Sequence, residues 1–363
     1  MAYTTIDDPT QYFNTIVWTG AGDTSARSFT GVGFQPDWVW HKCRTDTYNN
    51  HFYDVIRGAG NNSELISNST VAEGGGAASE HGYLSSFDTD GFSSANGSSG
   101  TGGNLGFNQN SETFVAWNWK AGGSASSNSN GSITSSVSAN TTAGFSIVSY
   151  TGNGTDGATV GHGLTSPKLV LIKDRDNATP WLMYGYPNHP AFPNDGSLIK
   201  LNETSAMVTD DSSTELSIGS STVTFVDAGS AINANSTQFI MYCFQEKKGF
   251  SKFGSYTGND NADGTFVYTG FAPAWVMIKR TNSVNDWIIL DRKRNPINPS
   301  NERLLANTNG AASTANTMVD FLSNGFKPRS TYGGINGASD NFIYMAFAES
   351  PFVNSSGIPN NAR

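Results

Sequence analysis

An all-β chain of three tandem antiparallel β-sandwiches, of the jelly-roll type, is what this sequence predicts. Three observations carry that expectation. One pattern of turn, apolar run and aromatic strand is written three times within 363 residues. The apolar stretches are short and separated by turn residues at regular intervals, as in sandwiches and barrels. Charged residues make up only 14% of the chain against roughly 25% in ordinary soluble domains, while glycine (40 residues), Ser, Thr and Asn are abundant. An aromatic content of 12% separates such a composition from disorder.

Each copy opens on a turn, at Val17-Trp18-Thr19-Gly20, Ser149-Tyr150-Thr151-Gly152 and Ser255-Tyr256-Thr257-Gly258. A proline-led apolar run follows: Pro36-Asp37-Trp38-Val39-Trp40-His41-Lys42, then Pro167 to Lys173, then Pro273-Ala274-Trp275-Val276-Met277-Ile278-Lys279. Pro36, Pro167 and Pro273 precede the runs, where a missing N–H removes no ladder bond. The lysine ending each run reads as a strand end whose aliphatic stem lies over the sheet. Next comes a strand built on an aromatic, at Phe52-Tyr53-Asp54-Val55, Trp181-Leu182-Met183-Tyr184 and Trp287-Ile288-Ile289-Leu290-Asp291. A further segment with a Gly-containing turn follows, at Phe87 to Phe92 and at Asp320 to Phe326. The copies close on the strands led by Phe114, Phe239 and Phe342. Side chains alternate between faces along a strand, so Phe239, Met241 and Cys243 oppose Ile240, Tyr242 and Phe244. Both faces are apolar. Such a strand needs cover from a second sheet on one side and from loops or a neighbouring domain on the other. No segment reads as an amphipathic helix of ordinary length.

The boundaries follow from the repeats: residues 1–123 form the first sandwich, 124–143 a Ser/Asn/Gly-rich linker, 144–250 the second, 251–353 the third, and 354–363 a polar tail. Within the linker, Ile133 and Val137 alternate with Ser and Thr, which leaves room for a short strand. Domains two and three join through Glu246-Lys247-Lys248-Gly249 with almost no linker. A more fixed orientation is therefore expected between them than between domains one and two.

A net charge of −9 argues against nucleic acid as a partner. No apolar run approaches the length of a membrane span, and the first residues lack the basic and apolar segments of a secretion signal. A soluble product made in the cytoplasm is expected. Cys43 and Cys243 occupy unrelated repeat positions, so no disulfide is expected between them. Five histidines, at 41, 51, 81, 162 and 189, lack zinc-ligand spacing. Asn259 to Gly264 resembles part of a calcium loop without its closing Glu, and reads as an Asx-stabilised turn. No metal and no cofactor are expected. Neither a phosphate-cradling loop, a nucleophile elbow, a triad nor a facing carboxylate pair is visible, so no catalytic residue is assigned and no enzyme is expected.

Four segments then carry a resemblance: Thr4 to Pro9 with Tyr12-Phe13, Phe34 to Trp40, Asp54 to Gly58, and Phe114 to Gly123. The chain resembles tandem-repeat virion proteins of marine tailed bacteriophages, cyanophages above all, whose domains are similar to concanavalin A-like lectin/glucanase sandwiches. The likeness is strong over the first 123 residues and looser beyond. Domain two departs most, with Leu164 for the aromatic and Leu169 for Trp. The resemblance implies a structural virion component: a tail fibre or appendage, or a capsid-attached fibre, with domain one at the attachment end. Its partners would be other virion proteins of the tail or capsid, and copies of itself as a homo-oligomer. The alternative is a glycan-binding adhesin that recognises host surface sugars through exposed aromatics. For this, Tyr48, Tyr83, Tyr186 and Tyr332 are the candidates, each in a loop-like segment. A capsid decoration protein or a polysaccharide depolymerase is a weaker alternative. Pro36, Trp38, Pro167, Pro273, Trp275, Phe114, Phe239 and Phe342 mark the repeat and read as structural.

Overall fold

The computed structural model describes residues 2–359 other than 24, 100–104, 187, 188, 190 and 228. The end of the expected polar tail, residues 360–363, lies outside the described residues. Among the described residues the chain is nearly all β, in antiparallel sheets with no closed barrel. Its α-helices are single turns, such as Ala78–His81 and Gly333–Asn336.

Each repeat builds one large and one small sheet. In repeat one, the large sheet runs in the order Phe13–Thr19, Thr113–Trp119, Trp38–Cys43, His51–Asp54, Leu65–Ile66. Its small sheet is Arg27–Thr30, Gly91–Ala95, Tyr83–Asp88. Repeat three follows the same order, with Ser251–Thr257, Asn341–Pro351, Phe271–Arg280, Ile288–Asp291 and Leu304–Leu305. In repeat two the corresponding sheet gains two edge strands, Ser135–Asn140 and Ser126–Asn128. Both come from the segment expected as a linker. Ser135–Asn140 pairs along its length with Phe145–Thr151, and Ser138 Oγ donates to the carbonyl of Gly123 at 2.6 Å. That segment is thus part of repeat two's sheet. The alternation of Ile133 and Val137 with serines was its signature, and it fixes repeat two against the end of repeat one.

The alternation inside the strands decides the layers. In repeat one, Val39, Tyr53 and Ala116 point outward and share a core with Phe29, Leu84 and Phe92 of the small sheet. Trp38, Trp40, Phe52, Trp117 and Trp119 point the other way, into a core that draws residues from all three repeats. The three large sheets therefore turn their inner faces to one another. Trp38 stacks on Tyr242 of repeat two at 4.7 Å, and Phe13 stacks on Phe347 of repeat three at 5.1 Å. Phe347 lies 5.6 Å from Trp119 and 6.4 Å from Phe244, the residues at the same register position in the other copies. The repeat markers Trp38, Trp275, Phe114, Phe239 and Phe342 are all at most 2% exposed, and Pro36, Pro167 and Pro273 are buried beside them.

Side-chain donors at the central seams run in one cyclic direction, two to one, one to three, three to two, while backbone N–H groups return the opposite way, from Glu73 to Arg175 at 2.8 Å, Met207 to Thr281 at 2.8 Å and Ala312 to Arg44 at 2.6 Å. The residue just before His51–Asp54 and before its counterparts Leu182–Gly185 and Ile288–Asp291 donates a side-chain N–H to a carbonyl of the next repeat. Trp181 Nε1 reaches Ile66 at 2.8 Å, Trp287 Nε1 reaches Lys200 at 2.8 Å, and Asn50 Nδ2 reaches Leu305 at 3.2 Å. A second set is present at two of the three seams. Tyr242 Oη donates to Asp54 Oδ2 at 2.7 Å, and Asp54 is paired with Arg57, both fully buried. Trp117 Nε1 donates to Asp291 Oδ2 at 2.9 Å, and Asp291 is paired with Arg294. Arg175 and Arg44, at equal positions, reach across the same two seams to Glu73 and Glu302. At the third seam every partner changes together: Gly185 replaces the aspartate, Met345 the aromatic donor and Thr281 the arginine. Phe192 lies so close over Gly185 that a Cβ there would meet its ring at 2.2 Å. A buried charge left without its partners costs several kcal/mol, so these groups are present as complete sets or absent as complete sets.

The recurring lysines are more deeply placed than a strand-end stem would be. Lys42, Lys173 and Lys279 are fully buried, and their ammonium groups donate to backbone carbonyls. Lys42 Nζ reaches Tyr48 at 2.8 Å and Asn309 of repeat three at 3.0 Å; Lys279 Nζ reaches Thr204 of repeat two at 3.2 Å. Lys173 Nζ stays within its own repeat, on Asp174 at 2.7 Å and Asn177 at 3.0 Å. Burial pulls each of the three down to about 8. Burial likewise takes His162 down to about 4 and His41 well below the usual histidine range. Cys43 and Cys243 are both buried and unbridged.

Two predictions follow from this packing. Because the inner faces form one core, chemical denaturation should show a single transition. Asp54→Ala, which strands the Arg57 guanidinium, should lower stability by about 3–5 kcal/mol, whereas Met345→Leu at the third seam should cost less than about 1.5 kcal/mol. Equal losses would contradict the seam assignment. The second concerns pH. An unfolded lysine keeps its proton to about pH 10.4, whereas the folded ones lose it near 8. Between those values the unfolded chain binds more protons, so stability should rise with pH across that window. The buried histidines act with the same sign at lower pH: stability should fall as pH drops from about 6.5 toward 4. Denaturation midpoints measured across pH check both limbs, and Lys279→Met should flatten the alkaline one.

Candidate binding clefts at the repeat junctions

The cyclic packing creates a cleft wherever the closing strand of one repeat meets the opening strand of the next. The one–two cleft, about 380 Å³, is lined by Gln35, Asp37, Lys120, Gly123 and Asn140 among others. Asp37 is buried there and accepts from the Gly123 N–H at 3.1 Å. Burial keeps its carboxyl above the ordinary range despite that bond. The three–one cleft, about 240 Å³, is lined by Phe13, Thr15, Arg292, Lys293, Pro296 and Glu349 among others, with Arg292 paired to Glu349.

The two–three cleft, about 360 Å³, is different in chemistry. It is lined by Tyr3, Glu246, Lys248, Lys252, Tyr268 and Thr269, with Ser251 and Gly270. Tyr3 arrives from the N-terminal segment. Its hydroxyl donates to the carbonyl of Gly270 at 2.8 Å and lies 3.2 Å from the hydroxyl of Tyr268. Gly270 adopts φ +84, and a Cβ there would meet the Tyr3 hydroxyl at 2.7 Å, so both backbone and space require glycine. Lys248 Nζ sits 4.3 Å from the centre of the Tyr3 ring. Lys252 pairs with Glu246 at 3.3 Å, and Glu246 also accepts from the Phe253 N–H at 2.9 Å. Tyr268 is 52% exposed. Burial, then the contact with Tyr268, pushes the Tyr3 hydroxyl above its ordinary range, so it remains a donor at neutral pH.

The four tyrosines singled out from sequence lie elsewhere, and each is half-buried. Tyr48 borders a cavity of about 120 Å³ with Thr47, His51 and His81; burial and then Asp46 push its hydroxyl up to about 12. Tyr83 begins a strand of the small sheet, paired with Ala95, and packs on the outer core of repeat one. It is a strand residue, not a loop residue, since the hairpin to Gly91–Ala95 captures it. Tyr186 carries Lys168 over its ring at 4.1 Å, and Tyr332 carries Arg303 at 4.8 Å. No described cleft brings two of them together.

Other titratable groups serve packing. His51 Nδ1 lies 3.0 Å from Glu64 Oε2, and Glu64 Oε1 accepts from the Ala78 N–H at 2.8 Å. Burial raises the Glu64 carboxyl, but these bonds outweigh it and hold it below the usual range. His41 stacks on His51 at 4.9 Å and on Phe107 at 3.9 Å. In the loop that partly resembles a calcium site, Asp263 bonds Lys327 and Arg329 at 2.5 and 3.0 Å. Two cations already occupy that carboxylate. Among the described residues no group of three His, Cys, Asp or Glu is arranged to hold a metal ion, and no helix is long and apolar enough to cross a membrane.

A profile of the family described as Domain of unknown function (DUF7483) matches residues 8–351. The chain belongs to this family. The match runs through all three repeats in one stretch, the same extent over which the inner faces share a core. No curated protein and no solved structure matches the chain.

Sequence reasoning missed Tyr3, Tyr268 and Lys248. A signal for Tyr268 was present: at the strand position opposite Gly91, Thr222 and Gly325, the copies carry Thr30, Gly161 and Tyr268. A bulky residue where the other copies have small ones is what an added surface feature looks like. The Tyr3 contact is long-range and left no local trace. Gly270→Ala should push Tyr3 out of the cleft and lower stability by about 1–2 kcal/mol. Hydrogen exchange should then accelerate at the amides around Tyr3 and Thr4; unchanged exchange there would contradict the role of this glycine.

Proposed function

We propose that this chain is a structural component of a tailed-phage virion, a tail fibre or appendage or a capsid-attached fibre, that displays β-sandwiches for host adsorption. In this reading each repeat is a jelly-roll sandwich of the concanavalin A-like kind. The way the chain passes between large and small sheet within each repeat supports it. The observation that carries the reading is the cyclic common core. Nearly the whole chain is spent on building one closed body from three copies, with its ends tied in: Tyr3 on Gly270, and Ser355 N–H on Asp7 at 2.6 Å. Such a body is suited to bearing and presenting, and the resemblance of the first 123 residues to virion proteins gives it a setting. Its partners in that setting are other virion proteins of the tail or capsid, with repeat one at the attachment end, and further copies of itself.

A second reading, a glycan-binding adhesin, is favoured by one specific feature, the exposed Tyr268 in a cleft that also carries Tyr3, Lys248, Lys252 and Glu246. The two readings are compatible in one fibre. Mass spectrometry of purified particles should detect the chain, and immunogold labelling should place it on their outside. Absence from particles removes the virion reading, whatever sugars the protein binds.

A further inference from the structure

We infer that the two–three cleft is a binding site for an acidic saccharide, with Tyr268 as the stacking platform and Lys248 as the anion contact. This deepens the proposal that the chain meets host surface glycans and rests on it for its biological setting, but its chemistry is read from the cleft alone. Three features specify the ligand. First, Tyr268 is an exposed ring in the cleft wall, on a chain whose other aromatics are largely buried. An exposed ring adjoining a polar cleft suits a ligand with one flat C–H face and a hydroxyl-bearing rim, because the ring gains contact area while the rim keeps its hydrogen bonds. Second, the Tyr268 hydroxyl and the Glu246 carboxylate stand at the rim, while the buried Ser251 and Thr269 hydroxyls are turned to the carbonyls of Gln245 and Phe271 behind it. The Tyr3 bond to Gly270 and the Lys248 contact with the Tyr3 ring hold the wall in place, so little ordering remains to be done on binding.

Third, the charge is local and opposite to that of the chain. Two lysines face one glutamate in this cleft, while the whole chain carries −9. The Glu246 carboxylate is already engaged by Lys252 and the Phe253 amide, whereas the Lys248 ammonium, resting on the Tyr3 ring, has no carboxylate paired with it among the described residues. A neutral sugar would gain nothing from that charge. A carboxylate- or sulfate-bearing one would gain a charge-assisted bond. Neither other junction cleft is lined by a tyrosine, so among the described residues this combination occurs once, although the fold repeats three times.

The test uses the full-length protein with short oligogalacturonate as the acidic probe, neutral oligogalactose of equal length, and poly-glutamate as an acidic peptide, all by isothermal titration calorimetry. Saturable binding of the uronate, weaker binding of the neutral sugar and no binding of the peptide are expected. Tyr268→Ala should weaken uronate binding about tenfold, equivalent to about 1.4 kcal/mol, and Lys248→Gln should erase the preference over the neutral sugar. Tyr186→Ala, outside the cleft, should bind as the parent does. Raised salt should weaken the uronate complex and leave any neutral one unchanged. Unfolding midpoints close to the parent's should accompany both cleft variants, since Tyr268 is half exposed. Lack of uronate binding, equal binding of the neutral sugar or of poly-glutamate, or an unaffected Tyr268→Ala variant each overturns the assignment. None of these outcomes bears on whether the chain is found on particles, so the two proposals fail separately.

Discussion

Everything in this molecule depends on large sheets that are apolar on both faces. A sheet with one wet face needs one layer of cover; these need two. The small sheet of each repeat supplies the outer layer, and the only apolar surfaces of matching size for the inner layer are the other repeats. Three such faces closing on one another remove Trp38, Trp117, Trp119, Trp275 and their neighbours from water at once. Large aromatic rings contribute most per residue to such burial, and tilted or stacked pairs add to it.

The cyclic order of the seams is the second consequence. When three copies of one unit close around a common centre, each presents one edge to the opposite edge of the next copy. The series Trp181–Ile66, Trp287–Lys200 and Asn50–Leu305 follows that rule with different side chains at the donor position. The aspartate–arginine sets follow it at two seams and are replaced as a whole at the third. Such all-or-none replacement is what a dry interface imposes, because half a buried network is worse than none. Fusion into one chain permits this divergence: each seam is written by its own residues and can change without the other two. The same freedom allows one junction to carry Tyr268 where its counterparts have Thr30 and Gly161. The cost of an exposed tyrosine is small, so a functional gain at a single junction suffices to keep it there.

Much of the fold was legible in the sequence. The three copies, the short alternating strands, the Pro-led entry and the Gly-containing hairpin turns correspond to strands in register, and the two-faced apolar pattern of Phe239–Phe244 called for cover on both sides. The segment 124–143 was harder, since serine-rich strands and flexible linkers have the same composition; only Ile133 and Val137 distinguished them. The candidate tyrosines were chosen as aromatics in loop-like segments, but aromatic residues in short loops find nearby surface to pack on, and Tyr186 and Tyr332 took up cations instead.

The sequence by itself determined the local period, the repeat and which strands have two apolar faces, because these are properties of neighbours along the chain. Only the tertiary structure decided what covers the inner faces, in which cyclic direction the repeats meet, and that Tyr3 joins Tyr268 across 265 residues. Those are relations between distant surfaces of similar composition, and periodicity carries no information about which of them meet.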